Sequence, residues 1–212
     1  KEEESNIMKA IILDVEEHLD TTGVVAEAWM QAASELMIPL DTPITADRLK
    51  QEFGKPMDEI AANLFPTLSE SQRALVMESC CEYEEFYLEN AREPLLFDGV
   101  KETILTLSQN YAVCIVSNCQ KGYIELFLKD GLENAITDFE CFGNTGLSKG
   151  ENIRLLMERA QITDAVYVGD TKGDADACTF AGIPFIFAEY GFGSPLIMLT
   201  KSRFPELLEY PF

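Results

Sequence analysis

The stretch Val166-Tyr167-Val168-Gly169-Asp170-Thr171-Lys172-Gly173-Asp174 decides how this chain folds and where its chemistry lies. Three apolar residues predict a short buried strand, and Gly169 ends it where two acids, Asp170 and Asp174, arrive four residues apart. Acids at the carboxyl edge of a strand suit a hard cation with oxygen ligands, and open α/β sheets bind ligands at this edge. The alternative interpretation is an acidic helix start that Asp170 caps.

Similar apolar runs recur along the chain and alternate with helical patterns. Besides the quoted stretch, strands are expected at 10–13, 111–116, 139–142 and 184–187. Helices are expected from 97–100 to about 109 and at 122–129, 151–160 and 176–181, with Lys149 in a loop before the third of them. Strands that alternate with helices of this length predict an α/β fold with a doubly wound parallel sheet.

A long helical block separates the first two predicted strands. Its apolar residues follow helical spacing, prolines interrupt it repeatedly, and it contains no convincing strand. We therefore expect a core domain formed by 1–20 and 93–212 and an inserted α-helical cap formed by 21–92. Residues 1–6 are polar and acidic and are interpreted as a solvated lead-in, with Met8 as the expected natural start.

Composition narrows the possible partners. Sixteen basic and thirty-seven acidic residues give a net charge of -21, so the surface repels nucleic acid backbones. No apolar run approaches the ~20 residues that a membrane span needs, and no secretory signal is visible. Six cysteines without metal-binding spacing are expected to be free thiols in a reducing cytoplasm. The expected partner is a small molecule, and the chain is expected to be a monomer or a homodimer.

Polar residues that follow the predicted strands form a candidate site, because parallel strands bring their carboxyl ends together. Ser117 and Asn118 follow the second strand and offer donors to phosphoryl oxygens, and Lys149 can hold a nucleophilic carboxylate ionised and neutralise phosphoryl charge. The acids that follow the first and fourth strands can share a magnesium ion with waters and a substrate phosphate. These acids are Asp14, Asp170 and Asp174.

From Met8 onward, this constellation resembles the haloacid dehalogenase-like (HAD) hydrolase superfamily, whose core is Rossmann-like. The strand with Asp14 is similar to its first motif, Val116-Ser117-Asn118 to its second, Lys149 to its third and 169–174 to its fourth. The helical block and Phe97-Asp98-Gly99-Val100 resemble the helical-cap subgroup, which includes phosphoglycolate phosphatase-like and β-phosphoglucomutase-like enzymes. The resemblance implies a Mg²⁺-dependent phosphatase that acts on small phosphorylated metabolites through an aspartyl-phosphate.

Carried over by position, the resemblance makes Asp14 the nucleophile and Glu16 the acid and base that protonates the leaving oxygen and then activates water. The first motif departs from the usual Asp-x-Asp-Gly-Thr, because Glu16-Glu17-His18 follows Asp14-Val15. The glutamate side chain places its proton about one methylene further out, and Glu17 adds charge where a glycine normally turns.

Three alternatives follow from this altered loop: a slow phosphatase, a phosphatase with a rebuilt loop, or an impaired protein that binds phosphate or a partner through the same cleft. Hydrolysis at carbon, as in dehalogenases, or of phosphonates is a further option, and the acidic pair in the fourth motif disfavours the metal-free dehalogenase route. The only histidine, His18, has a plausible site role beside Glu16, although a hydrogen-bonding or exposed role is more common. In the cap, the basic residues expected to grip the far end of a substrate are Lys50, Lys55 and Arg73.

Overall fold

The computed structural model describes residues 9–15, 21–53, 55–91, 95–129, 131–188 and 200–201. Glu16, Glu17 and His18 lie outside the described residues, so the predictions for them stay predictions. None of the helices in the described part of the chain is long and apolar enough to cross a membrane.

A six-stranded sheet forms the centre of the molecule, and every neighbouring pair of its strands is parallel. Its spatial order is β3-β2-β1-β4-β5-β6, so the chain starts in the middle and winds outward in both directions. This doubly wound order confirms the predicted fold class. The strands are β1 (Lys9–Leu13), β2 (Ala112–Ser117), β3 (Ile136–Cys141), β4 (Asp164–Gly169), β5 (Phe185–Ala188) and β6 (Thr200–Lys201).

The helices of the described residues fall into two groups. Four of them, here called the helical insert, lie between β1 and β2: α1 (Thr22–Glu35), α2 (Ala46–Lys50), α3 (Met57–Leu64) and α4 (Glu70–Glu89). A fifth helix, α5 (Val100–Leu107), follows the insert and leads into β2. The others connect the later strands: α6 (Tyr123–Leu128), α7 (Phe142–Thr145), α8 (Lys149–Arg159) and α9 (Lys172–Ala181). The insert occupies the interval in which the sequence predicts a cap, while the division into two domains stays a prediction.

Side-chain alternation along the central strands produces a core on each face of the sheet. In β1, Ile11 and Leu13 belong to the cluster that includes Trp29 and other residues of the insert. Their neighbours Ala10 and Ile12 face the cluster that α8 and α9 complete. Because both faces are covered, the central strands are apolar throughout, which is typical of a parallel sheet.

Two predicted helix starts were wrong. Lys149 is the first residue of α8, and Ser148 caps that helix together with Glu151 through reciprocal hydrogen bonds. Likewise α9 begins at Lys172, four residues earlier than expected, since Thr171 is its cap. Lys149 and the 169–174 segment therefore each lie at the start of a helix, where a capping residue holds the backbone.

Candidate active site

Asp14 lies at the carboxyl end of β1, in the middle of the sheet. Its backbone N–H donates to the Val168 carbonyl at 3.0 Å, so the β1–β4 ladder extends to this residue. The carboxylate is 2% exposed, and its Oδ1 accepts the Val15 N–H at 2.8 Å. Buried in this way, the side chain has little freedom to turn away from the strand end.

Lys149 connects two acids that are far apart in the sequence. Its Nζ donates to Oδ2 of Asp14 and, at 2.5 Å, to Oδ1 of Asp174. Burial alone would lower the pKa of the Lys149 ammonium, but the two carboxylates raise that pKa well above its ordinary value. The lysine is therefore charged at every physiological pH, and the Tyr167 ring lies 5.7 Å from its ammonium. Lys149 is the first residue of α8, and the start of this helix places its ammonium in contact with both acids.

The Asp174 carboxylate accepts four hydrogen bonds from the described residues. Its Oδ1 accepts from Lys149, and its Oδ2 accepts from the Asp170 N–H at 3.2 Å, the Thr171 N–H at 2.9 Å and the Thr171 hydroxyl at 2.7 Å. Because each carboxylate oxygen offers about two lone-pair positions, Oδ2 is fully used, whereas Oδ1 keeps one position for a further donor or a cation. The prediction that Asp174 binds the metal stays a prediction.

Gly169 makes room for this arrangement. A Cβ atom at this position would lie 2.7 Å from Oδ2 and 2.8 Å from Cγ of Asp174, and 2.9 Å from Cε1 of Tyr167. Both neighbours are completely buried and cannot give way. The glycine is therefore required by the close approach of the Asp174 carboxylate to the end of β4.

Ser117 and Asn118 lie at the end of β2, beside β1. Ser117 is 0% exposed, and its Oγ has no hydrogen-bond partner among the described residues. A buried hydroxyl without a partner costs about 1–3 kcal/mol, which a bound ligand oxygen would recover. The following loop is held by the Gly143 N–H, which donates to the Cys119 carbonyl at 3.0 Å. Asn118 is half-buried and lines the cleft above the site.

A divalent cation fits the remaining donor set. Among the described residues, no group of three histidine, cysteine or acidic side chains is arranged to hold a metal ion. Mg²⁺ needs only one or two carboxylates, because waters and substrate phosphate supply its other ligands. Asp14 accepts only two hydrogen bonds from the described residues, and the buried Asp170 follows the adjacent strand. Three carboxylates and one ammonium also leave a formal charge of -2, which a divalent cation would neutralise.

A cleft of about 890 Å³ opens above these residues, between the helical insert and the carboxyl edge of the sheet. From the core, its walls include Asn118, Lys149 and Thr171. Of the basic residues predicted to grip a substrate, Lys50 and Lys55 line the cleft, whereas Arg73 is not among the described residues that do. Thr171 was missed from the sequence, although a threonine three residues before an acid at a helix start indicates a cap.

Solved structures with the same fold are similar over most of their length. A predicted phosphoglycolate phosphatase from Haemophilus somnus superposes with a TM-score of 0.79 at 17% identity, covering 97% of this chain and 98% of that one. A haloacid dehalogenase-like family hydrolase from Streptococcus pneumoniae gives 0.74 at 21% identity, with 88% and 87% covered. A predicted phosphatase from Clostridium acetobutylicum gives 0.74 at 16% identity, with 89% and 88% covered. At these identities the likeness shows the fold alone.

Fold and site together define a doubly wound α/β protein with a buried acid–lysine–acid centre at its carboxyl strand edge. The sequence profile of the haloacid dehalogenase-like hydrolases matches residues 11–188, from β1 to β5. The chain therefore belongs to the haloacid dehalogenase-like hydrolase family. A comparison with curated proteins found no match.

Proposed function

We propose that the chain is a Mg²⁺-dependent hydrolase of small phosphate monoesters that acts through an aspartyl-phosphate on Asp14. The observation that carries the proposal is the buried Lys149 ammonium, which binds the Asp14 carboxylate beneath an open cleft. A carboxylate bound by an ammonium beneath a cleft is a candidate nucleophile, and the ammonium offsets the charge of an approaching phosphoryl group.

The charge of the cleft supports an anionic substrate. Of the described residues that line it, four are lysines and two are acids, in a chain with sixteen basic and thirty-seven acidic residues. The lysines are Lys50, Lys55, Lys149 and Lys172. Basic residues are thus concentrated at the cleft of a protein whose overall field repels anions.

The reaction divides into two displacements at phosphorus. An Asp14 oxygen attacks the phosphorus atom, the bond to the ester oxygen breaks, and Glu16 gives a proton to the departing alcohol. Glu16 then takes a proton from a water molecule whose oxygen attacks the aspartyl-phosphate, which releases phosphate and restores Asp14. Ser117 and Asn118 hold the phosphoryl oxygens during both steps, so the buried Ser117 hydroxyl gains its missing partner.

In this proposal Asp14 and Asp170 supply the carboxylates that hold Mg²⁺, and Asp174 positions Lys149. When bound, the ion supplies positive charge to the phosphoryl oxygens and lowers the repulsion between substrate and acidic site. This role of Asp174 follows from its contacts, since Oδ1 binds Lys149 and the three donors on Oδ2 leave that oxygen no lone pair for a cation.

A second candidate is a protein that binds phosphate or a partner in this cleft without turnover. The altered first motif favours it, because Glu17 places an additional negative charge two residues after Val15. Both candidates share the same phosphate-binding residues, so only turnover separates them.

The test is hydrolysis of p-nitrophenyl phosphate with and without Mg²⁺ by the wild-type chain and by Asp14→Asn. The proposal expects Mg²⁺-dependent release of phosphate that falls by at least ~10³-fold in the variant, because the amide is not a nucleophile. Acid quenching during turnover, followed by mass spectrometry, should find one phosphoryl group on the peptide that contains Asp14.

Asp164→Asn is the matched control. It makes the same chemical change at the exposed opposite end of β4, and it should leave the rate unchanged. Wild-type turnover that survives in Asp14→Asn would reject the nucleophile. Phosphate binding by a wild-type chain that shows no turnover would identify the second candidate.

A further inference from the structure

Three phenylalanines line the cleft and give one part of it an apolar surface: Phe53 from the insert, Phe142 after β3 and Phe180 from α9. Phe180 is the most exposed of them, at 52%, and belongs to neither hydrophobic cluster of the described residues. A large aromatic side chain that is exposed in a cleft and not used by the core is available to contact a ligand.

Phe180 is held in place by its neighbours on α8. A Cβ atom on Gly150 would lie only 2.7 Å from Cδ1 of Phe180, so the ring packs directly against the backbone of the residue after Lys149. One helical turn later, the Arg154 guanidinium lies 5.1 Å from the ring centroid. The ring is therefore fixed beside the lysine that is proposed to contact the phosphoryl group.

The side of the cleft that the helical insert forms does not favour a second anionic group on the substrate. Lys50 and Lys55 from the insert line it together with Asp58 and Glu59, so two positive and two negative charges balance. Lys55 is also paired with Glu52 at 2.9 Å. A carboxylate at the far end of a substrate would find no net positive charge there.

The cleft has room for a leaving group larger than a two-carbon acid. About 890 Å³ falls within the ~300–1,000 Å³ of sites that bind drug-sized ligands. The aromatic lining and the balanced charge favour an uncharged aromatic group beyond the phosphate, and the volume of the cleft admits one.

We propose that the substrate is a phosphate monoester whose leaving group carries an uncharged aromatic ring that stacks on Phe180. This rests on the proposed phosphatase function and specifies the substrate class of the same cleft. Aryl-methyl phosphates and nucleoside monophosphates both satisfy this chemistry, whereas the ester of a small carboxylic acid does not.

The experiment compares kcat/KM for benzyl phosphate, ethyl phosphate and phosphoglycolate, all of which release a primary alcohol. Benzyl phosphate should exceed the other two by about 10-fold, the upper range for one aromatic contact. Phe180→Ala should remove this preference, so that the ratio of kcat/KM for benzyl over ethyl phosphate falls to about 1, while Phe180→Tyr, which keeps a ring, should retain it. The same comparison includes adenosine 5′-monophosphate, whose kcat/KM relative to that of benzyl phosphate distinguishes a nucleoside from a simple aryl group.

Phe86→Ala is the matched control, because Phe86 is 61% exposed on α4 and is not among the described residues that line the cleft. It should keep the benzyl preference. Equal rates for benzyl and ethyl phosphate, or a preference for phosphoglycolate, would overturn the substrate class and leave the phosphatase function standing.

Calorimetric binding of benzylphosphonate and ethylphosphonate supplies a readout that does not need turnover. Tighter binding of benzylphosphonate that is lost in Phe180→Ala supports the aromatic site even in a chain that hydrolyses no ester, a result that would reject only the phosphatase function. Equal binding of both phosphonates, with or without Phe180, overturns the aromatic site.

Discussion

Glu84 is an acid buried between the helical insert and the core, and replacing it with glutamine should change how stability depends on pH. Its Oε2 accepts the Trp29 indole N–H at 2.6 Å, and its Oε1 accepts the Gln120 amide at 2.9 Å. Burial raises the pKa of Glu84 from its ordinary 4.5 to about 7, although both hydrogen bonds act in the opposite direction. Compared with the unfolded chain, the folded protein therefore favours the neutral carboxyl group.

The sign and size of the effect follow from this pKa. The folded state holds the proton more tightly than the unfolded state, so the stability from Glu84 is complete below pH 4.5 and is lost as pH rises through about 7. The total is about 3 kcal/mol. Other acids protonate at the acid end of this pH range, so the measurement should start at pH 5.5. About 2 kcal/mol of the stability loss from Glu84 falls above that pH. Glu84→Gln keeps an acceptor for Trp29, cannot ionise and should therefore gain about 2 kcal/mol relative to wild type between pH 5.5 and 8.

The assay is urea unfolding at several pH values, followed by the fluorescence of Trp29, the only tryptophan in the chain. Unfolding free energies of wild type and Glu84→Gln should diverge as pH rises, while contributions from all other acids cancel in the difference. Glu82→Gln makes the same change at an exposed position of α4 and should run parallel to wild type. A constant difference between wild type and Glu84→Gln across this range would refute the raised pKa.

The site itself offers further expected outcomes. Ser117→Ala should leave the unfolding free energy unchanged or raise it by about 1 kcal/mol, since the hydroxyl has no partner among the described residues, yet weaken inorganic phosphate binding by about 10-fold. Calorimetry measures both, and a clear loss of stability would show that the hydroxyl has a structural partner instead. Gly169→Ala should cost about 1–3 kcal/mol because its Cβ would lie 2.7 Å from the Asp174 carboxylate, while Gly23→Ala, where a Cβ would meet no atom within 4 Å, should be neutral or stabilising. Thermal unfolding compares the two, and equal melting temperatures would contradict the close contact.

The parallel fold and the convergence of the strand ends could be predicted from the sequence. Apolar strands that stop at Asp14, Ser117 and Gly169 place those residues at one edge, since all strands run in the same direction. The structure brings Asp14, Lys149 and Asp174 into direct contact at that edge, while their roles in catalysis stay predictions.

Other features depend on tertiary contacts that local patterns do not contain. The start of α8 at Lys149 was readable from Ser148 and Glu151, but hydrophobic periodicity alone placed it two residues late. Glu84 lies on α4 among acids at positions 78, 82, 85 and 89, and nothing in its local sequence distinguishes it from them. Its burial arises only when Trp29 and Gln120 from distant segments pack beside it.

The central place of β1 also has a consequence for synthesis. The ribosome makes β1 before its two neighbours, β2 and β4, which begin at residues 112 and 164. Until those segments emerge, both edges of β1 expose unpaired backbone groups, and pairing them requires closure of long loops. The nascent chain therefore carries an apolar strand with unpaired edges until β2 and β4 have emerged, and shielding by a chaperone should matter most in that interval.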